Sequence, residues 1–141
     1  MAPLVPSRLP KKSMSLRILI AEDEALIAME VEDALIEAGY EVVAVVNRAS
    51  DALAKAEALR PDLCVMDIRL LDGSSLEAAG AILRGGVPVV LASGHGGGEA
   101  AAAVGTRHWL HKPYRRADLV RAVKAAAAQA ATATRAETGA S

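Results

Sequence analysis

The sequence predicts an α/β fold, a doubly wound five-stranded parallel sheet covered by helices on both faces. Three observations predict it. Five short apolar runs alternate with five helical patterns, and alternation of this kind means a parallel sheet with right-handed crossovers. The opening run, LRILIA, lacks the clean in–out alternation of a half-exposed strand, as expected where helices cover both sides. Aromatic content is low, with no Phe, two Tyr and one Trp, so core volume comes from Val, Leu, Ile and Ala and helices can lie close on the sheet.

Residues 1–15 are expected to form a flexible tail and residues 16–131 the domain. LRILIA (16–21) is the first strand. From Glu24 to Ala38, Leu26, Ile27, Met29, Val31, Ala34, Leu35 and Ile36 supply the apolar stripe of a helix, which Gly39 stops. YEVVAVV (40–46) is the second strand, and a helix starting near Ser50-Asp51 ends at Arg60-Pro61. DLCVMD (62–67) is the third strand; LLDGSS (70–75) is turn chemistry, with Ser74 or Ser75 as N-cap of a helix that ends before Gly85-Gly86. VPVVLA (87–92) is the fourth strand, SGHGGGE a loop, and Glu99 to Val104 a short, weak helix. RHWLH (107–111) is the fifth strand, and a last helix runs from Arg116 to about Ala130, followed by a flexible tail at 132–141.

Composition narrows the function. The hydrophobic fraction of 52% and charged fraction of 23% are ordinary for a soluble domain. A net charge of −1 draws the chain to neither nucleic acid nor anionic lipid. No apolar run approaches the roughly 18 residues of a membrane span, and MAPLVPSRLPKKSMS has no apolar segment of the secretory kind. The lone Cys64, inside an apolar strand, is expected to be a buried thiol in a reducing compartment, with a cytoplasmic location as the default.

The strand ends carry the chemistry. In chain order they offer Glu22-Asp23, Asp67, Ser93 and Lys112-Pro113, and a parallel sheet gathers such ends along one edge. Three carboxylates there repel one another and raise each other's pKa unless a cation lies among them. Hard oxygen ligands select Mg²⁺, which bridges carboxylates to a phosphate. We therefore expect Glu22 and Asp23 to bind the metal and Asp67 to be both a ligand and the nucleophile at phosphorus. Lys112 is a point-charge partner for Asp67 and for a phosphoryl oxygen. Ser93 offers a hydroxyl to another phosphoryl oxygen, with Gly94 leaving room beside it.

This ordered set resembles the receiver domain of two-component response regulators, of flavodoxin-like and CheY-like fold, over residues 16 to 130. The resemblance implies that Asp67 takes a phosphoryl group from a phosphohistidine on a sensor kinase or phosphotransfer protein. It also implies that the backbone carbonyl of Arg69 completes the Mg²⁺ site. Trp109 stands where the family has Tyr or Phe that rotates inward on activation. His95 and Arg69 stand at positions that tune the lifetime of the acyl phosphate. Leu91-Ala92-Ser93-Gly94, followed by His95-Gly96, is similar to the Phe-Ala-Thr-Gly loop of the FAT GUY subgroup of alphaproteobacterial single-domain regulators. The opening EDEALIAMEVEDALIEAGYEVV also looks like that subgroup. With Gly96 to Gly98 in sequence, residues 94–105 are expected to switch between order and disorder.

The implied protein is no turnover enzyme. It is a monomer or weak homodimer that signals by protein contact through the fourth helix, fifth strand and fifth helix, near Trp109 and Tyr114, or passes on or drains phosphoryl groups. About ten residues after the last helix leave no room for a helix-turn-helix. Three rivals are weaker. An aspartyl-nucleophile phosphatase of the haloacid-dehalogenase type would carry a second Asp where Arg69 stands. A nucleotide module built on GHGGG lacks the full GxGxxG spacing and follows the wrong strand. A phosphorylation-independent binding module would not require every one of these positions to be filled.

Overall fold

A computed structural model describes residues 15–140, with side chains described as far as Ala130. The expected N-terminal tail lies outside the described residues, except for Ser15. In chain order the elements are β1 (Arg17–Ala21), α1 (Ala25–Glu37), β2 (Glu41–Val46), α2 (Ala49–Leu59), β3 (Leu63–Asp67), β4 (Arg69–Leu70), β5 (Gly73–Ser74), α3 (Leu76–Arg84), β6 (Val89–Ser93), α4 (Gly97–Val104), β7 (His108–His111) and α5 (Arg116–Ala140). Five strands form one parallel sheet in the order β2-β1-β3-β6-β7, while β4 and β5 make a separate two-stranded hairpin.

Strand alternation divides the core into two layers. Leu19, Ala21, Cys64, Met66, Val89 and Leu91 face α2, α3 and α4, where Ala52, Ala56, Ala79 and Ile82 meet them. Ile18, Ile20, Leu63, Val65, Val90 and Ala92 face α1 and α5, against Val31, Ala34, Leu35, Leu119 and Val123. Helix residues at the sheet are mostly Ala or Val. They let the helix backbones approach closely, and the bulk is supplied from the strands. Cys64 is fully buried, and burial pushes its thiol up to about 12, which fits an inert core residue.

Three local readings need correction. The apolar residues of α1 do not form one stripe: Ala28, Val31, Ala34 and Leu35 are buried, whereas Leu26, Met29 and Ile36 are exposed by 77%, 58% and 53%. The helical repeat of 3.6 residues puts 28, 31 and 35 on one side and carries the other three around the cylinder. The loop expected through Glu99 ends sooner, because Gly97 and Gly98 already belong to α4. The last helix continues to Ala140, ten residues past its expected end. The segment is rich in Ala, the strongest helix former, so propensity extends the helix where apolar periodicity fades. Among the described residues no helix is long and apolar enough to cross a membrane.

Two substitutions in α1 test this packing. Leu35→Ala, at a fully buried position, is expected to cost about 2–5 kcal/mol of unfolding free energy. Leu26→Ala should stay within about 0.5 kcal/mol. Urea midpoints measure both, and equal losses would contradict the assigned helix face.

Candidate functional site

The strand order reverses beside β1, and the carboxyl ends of β1, β3, β6 and β7 open onto one edge of the sheet. Glu22 follows β1 and is fixed by its N–H, which donates to the carbonyl of Val46 at 2.9 Å. Asp67 is the last residue of β3, Ser93 the last of β6, and Lys112 follows β7. Registry across the sheet sets Asp67 beside Ala92 and Ser93 beside His111. The backbone therefore delivers these residues together before any side chain interacts.

Four of the predicted residues meet. Glu22, Asp23 and Asp67 each present a carboxylate oxygen within 4.8 Å of the others. Lys112 reaches into the cluster, with its Nζ 2.7 Å from Asp67 Oδ2 and 3.3 Å from Glu22 Oε1. Glu22 and Asp67 are 5% and 6% exposed, so two of the three acids are withdrawn from water. Burial pushes Glu22 from its ordinary 4.5 up to about 7. The N–H of Glu24 opposes that rise, the charge of Asp67 adds to it and Lys112 opposes it. For Lys112 burial would lower the pKa, but the hydrogen bond and charge of Asp67, then Glu22, outweigh it and the net shift is upward.

Asp67 is held at both ends. The Arg69 N–H donates to Asp67 Oδ1 at 3.3 Å and orients the carboxylate. The Asp67 carbonyl accepts the hydroxyl of Ser75 at 2.7 Å. Ser75 is the N-cap residue of α3 but makes no side-chain cap; it is fully buried and braces the loop after β3. Sequence reading treated it only as a candidate cap. The one available signal was its place eight residues after Asp67, in a turn that has to fold back.

Ser93, Gly94 and His95 are placed at the edge, in different states. The Ser93 hydroxyl donates to the His95 carbonyl and accepts from the His95 N–H at 3.1 Å, so it is satisfied inside its own loop. Gly94, His95 and Arg69 are exposed. Trp109 is 43% exposed and faces outward from β7. Its indole lies over the start of α4. A Cβ at Gly97 would come 2.9 Å from Trp109 Cε3 and 3.4 Å from Ser93 Cβ, and one at Gly98 would come 3.3 Å from Trp109 Cζ2. Gly97 and Gly98, expected from sequence to lie in a segment that switches between order and disorder, are the seat of the tryptophan.

Comparison with known proteins agrees with this geometry. The sequence profile of the response regulator receiver domain matches residues 18–124. The transcriptional regulatory protein PdtaR of Mycobacterium tuberculosis is 35% identical over 114 residues, covering 78% of this chain and 56% of that protein. The phyllosphere-induced regulator PhyR of Methylorubrum extorquens is 46% identical over 74 residues, half of this chain and 27% of that protein. This chain thus spans about half the length, or less, of these curated relatives. Among solved structures, the signal receiver domain of a modulated diguanylate cyclase from Desulfovibrio desulfuricans G20 superposes with a TM-score of 0.76 at 27% identity, covering 84% of this chain and 98% of that one. A receiver domain protein from Methanospirillum hungatei JF-1 gives 0.75 at 27% identity, with coverage of 84% and 98%.

Two outcomes follow from the geometry. In metal-free protein the fold keeps the Glu22 proton up to about pH 7, while the unfolded chain loses it near 4.5. The folded state therefore binds more protons between those values, and stability falls as pH rises through them. Thermal melts in chelator are expected to show a loss on the order of 2 kcal/mol between about pH 5 and pH 8, with Glu22→Gln removing most of that slope. An unchanged slope in the variant would place its origin elsewhere. At the other end of the site, Gly97→Ala should destabilise by about 1–2 kcal/mol by overpacking. In a Trp109→Ala background the same change should be neutral or stabilising, because Ala is the better helix former by about 1 kcal/mol. A double-mutant cycle in urea measures that coupling.

Proposed function

The chain belongs to the response regulator receiver domain family, and from that premise we propose that it is a phosphoacceptor whose Asp67 takes a phosphoryl group in a two-component phosphorelay. The observation that carries this reading is the unbalanced charge at the sheet edge. Three carboxylates face a single lysine there. If all ionise, two negative charges are left over; the Glu22 pKa is raised first by burial, and the charge of Asp67 adds to it. A divalent cation held by oxygen ligands would settle that imbalance.

The residues fit Mg²⁺. Glu22, Asp23 and Asp67 would hold it, together with the backbone carbonyl of Arg69, and open space beside Glu22 and Asp23 leaves room for its waters. When bound, the ion supplies charge neutralisation on the phosphoryl oxygens and aligns them for transfer. The chain's own residues do the rest. Arg69 N–H orients the Asp67 carboxylate. A carboxylate oxygen of Asp67 forms the new bond to phosphorus as the bond to the donor's leaving nitrogen breaks. Lys112 loses its ion pair with Asp67 and gains a phosphoryl oxygen as partner. Ser93 gives up its bond to the His95 carbonyl to donate to a second oxygen. His95 and Arg69, both exposed, would govern the approach of water to the acyl phosphate.

In this reading the protein is not a turnover enzyme. It catalyses only its own phosphorylation and the hydrolysis of its acyl phosphate. Its donors are a sensor histidine kinase or histidine phosphotransfer protein, and its output is protein contact or onward transfer, in a reducing, cytoplasmic setting. Leu91-Ala92-Ser93-Gly94 and the 22–43 segment support membership of the FAT GUY subgroup, and Gly94–Gly105 is the segment whose order would respond to phosphorylation. A phosphorylation-independent binding module is the alternative.

Intact mass after incubation with acetyl phosphate and Mg²⁺ decides between them. The expected result is a gain of one phosphoryl group in wild type and none in Asp67→Ala, with chelator abolishing the gain. Wild type without gain under acetyl phosphate or a histidine-phosphorylated donor, or gain retained in Asp67→Ala, would overturn the assignment.

A further inference from the structure

The first turn of α2 is capped from outside the helix. Its N-cap residue, Arg48, makes no side-chain cap. Instead the Ala49 N–H donates to Asp72 Oδ1 at 2.7 Å and the Ser50 N–H to Asp72 Oδ2 at 3.1 Å. A third bond, from Leu71 N–H to the Asn47 carbonyl at 2.9 Å, runs alongside. Asp72 is at the tip of the β4–β5 hairpin, whose turn is closed by Gly73 at φ +113. That hairpin begins at Arg69, two residues after Asp67, and its far end passes into Ser75, which grips the Asp67 carbonyl.

One short strap therefore joins the acceptor to a helix. Its origin supplies the Arg69 N–H on Asp67 Oδ1, its tip is pinned to α2, and its base is pinned by Ser75 to Asp67 and Ile68. Leu70 is the strap's buried anchor in the α2–α4 layer. The two N–H donors of α2 hold the Asp72 carboxyl below its usual range, as expected for a carboxylate bound in the charged form at a helix N-terminus.

We infer that Asp72 is a positioning residue for the phosphoacceptor site, bracing the β4–β5 strap against α2 so that the Arg69 main chain stays where Asp67 and the cation need it. The inference rests on the metal-assisted reading above and adds a direction to it. A tether that preorganises the site must itself be tightened when the site is filled, because coupling between two binding events is reciprocal. Occupation by Mg²⁺ is thus transmitted to the first turn of α2, on the opposite face of the sheet from α1 and α5.

The experiment uses the full chain and Mg²⁺ alone, followed by NMR titration and amide hydrogen exchange. In wild type, Mg²⁺ should slow exchange at Ala49 and Ser50. Asp72→Ala should speed exchange there and weaken Mg²⁺ about fivefold, the scale of losing one cap. Asp72→Asn, which keeps one of the two acceptor oxygens, should weaken Mg²⁺ less than Asp72→Ala does. The variant with faster exchange at Ala49 and Ser50 but unchanged Mg²⁺ affinity would reduce Asp72 to a helix cap and overturn the inference. So would the absence of Mg²⁺ protection at Ala49 and Ser50 in wild type that binds the ion. Wild type that binds no Mg²⁺ overturns the metal-assisted reading itself, and this inference with it.

Discussion

The ion pair between Lys112 and Asp67, 2.7 Å apart and shared with Glu22, is the constraint on which the site depends. Burying charge is costly, and a pair recovers that cost only with good geometry and further hydrogen bonds. Asp67 has both, through Arg69 N–H on one oxygen and Lys112 on the other. Glu22 has less: a backbone N–H from Glu24 and a longer reach to Lys112. Burial, with the charge of Asp67, raises its pKa. A single lysine for three carboxylates is a poor way to stabilise a fold. It leaves the sheet edge with an excess of negative charge that the chain's own residues do not balance.

The sheet makes that arrangement possible at little extra cost. Parallel strands put their ends in line, so Glu22, Asp67, Ser93 and Lys112 need no long loops to converge. The Lys112 N–H donates to the Ser93 carbonyl at 2.8 Å and the Ile68 N–H to the Ala92 carbonyl at 3.0 Å, which carries the ladder one step beyond the strands and into the site. Asp67 stands beside a ladder bond on one side and a fully buried serine on the other. These side chains are thus mounted on strand ends tied by ladder hydrogen bonds, while the edge around them holds glycine and exposed side chains.

Strands and their ends were legible because their signals are local. An apolar run ending in Asp or Lys is read directly, and parallel topology follows from alternation. What escaped were relations between segments distant in sequence. Asp72 reads as the first half of an Asp-Gly turn, and nothing in its neighbourhood says that its oxygens serve Ala49 and Ser50, more than twenty residues earlier. Gly97 and Gly98 read as flexible, since glycine favours turns; only the Trp109 indole lying over them explains why a side chain is missing there. Leu26, Met29 and Ile36 read as core because all residues of α1 that are not acidic are apolar, which blurs the period that separates the faces.

Net charge was the least informative number in the sequence, because an average of −1 conceals a separation. Residues 22–41 contain eight Asp and Glu and no Lys or Arg, whereas residues 107–124 contain six Lys and Arg against Asp118 alone. The fold lays these two segments against each other, with α1 and α5 packed on the same face of the sheet. Arg116 pairs with Glu37 at 2.8 Å on the surface, and Lys112 with Glu22 and Asp67 inside. The exposed pair contributes little energy by itself. The buried one belongs to the site. Both have the same origin: the basic segment 107–124 is wound back onto the acidic segment 22–41, and the lysine that pairs with Asp67 comes from a segment that carries an excess of cations.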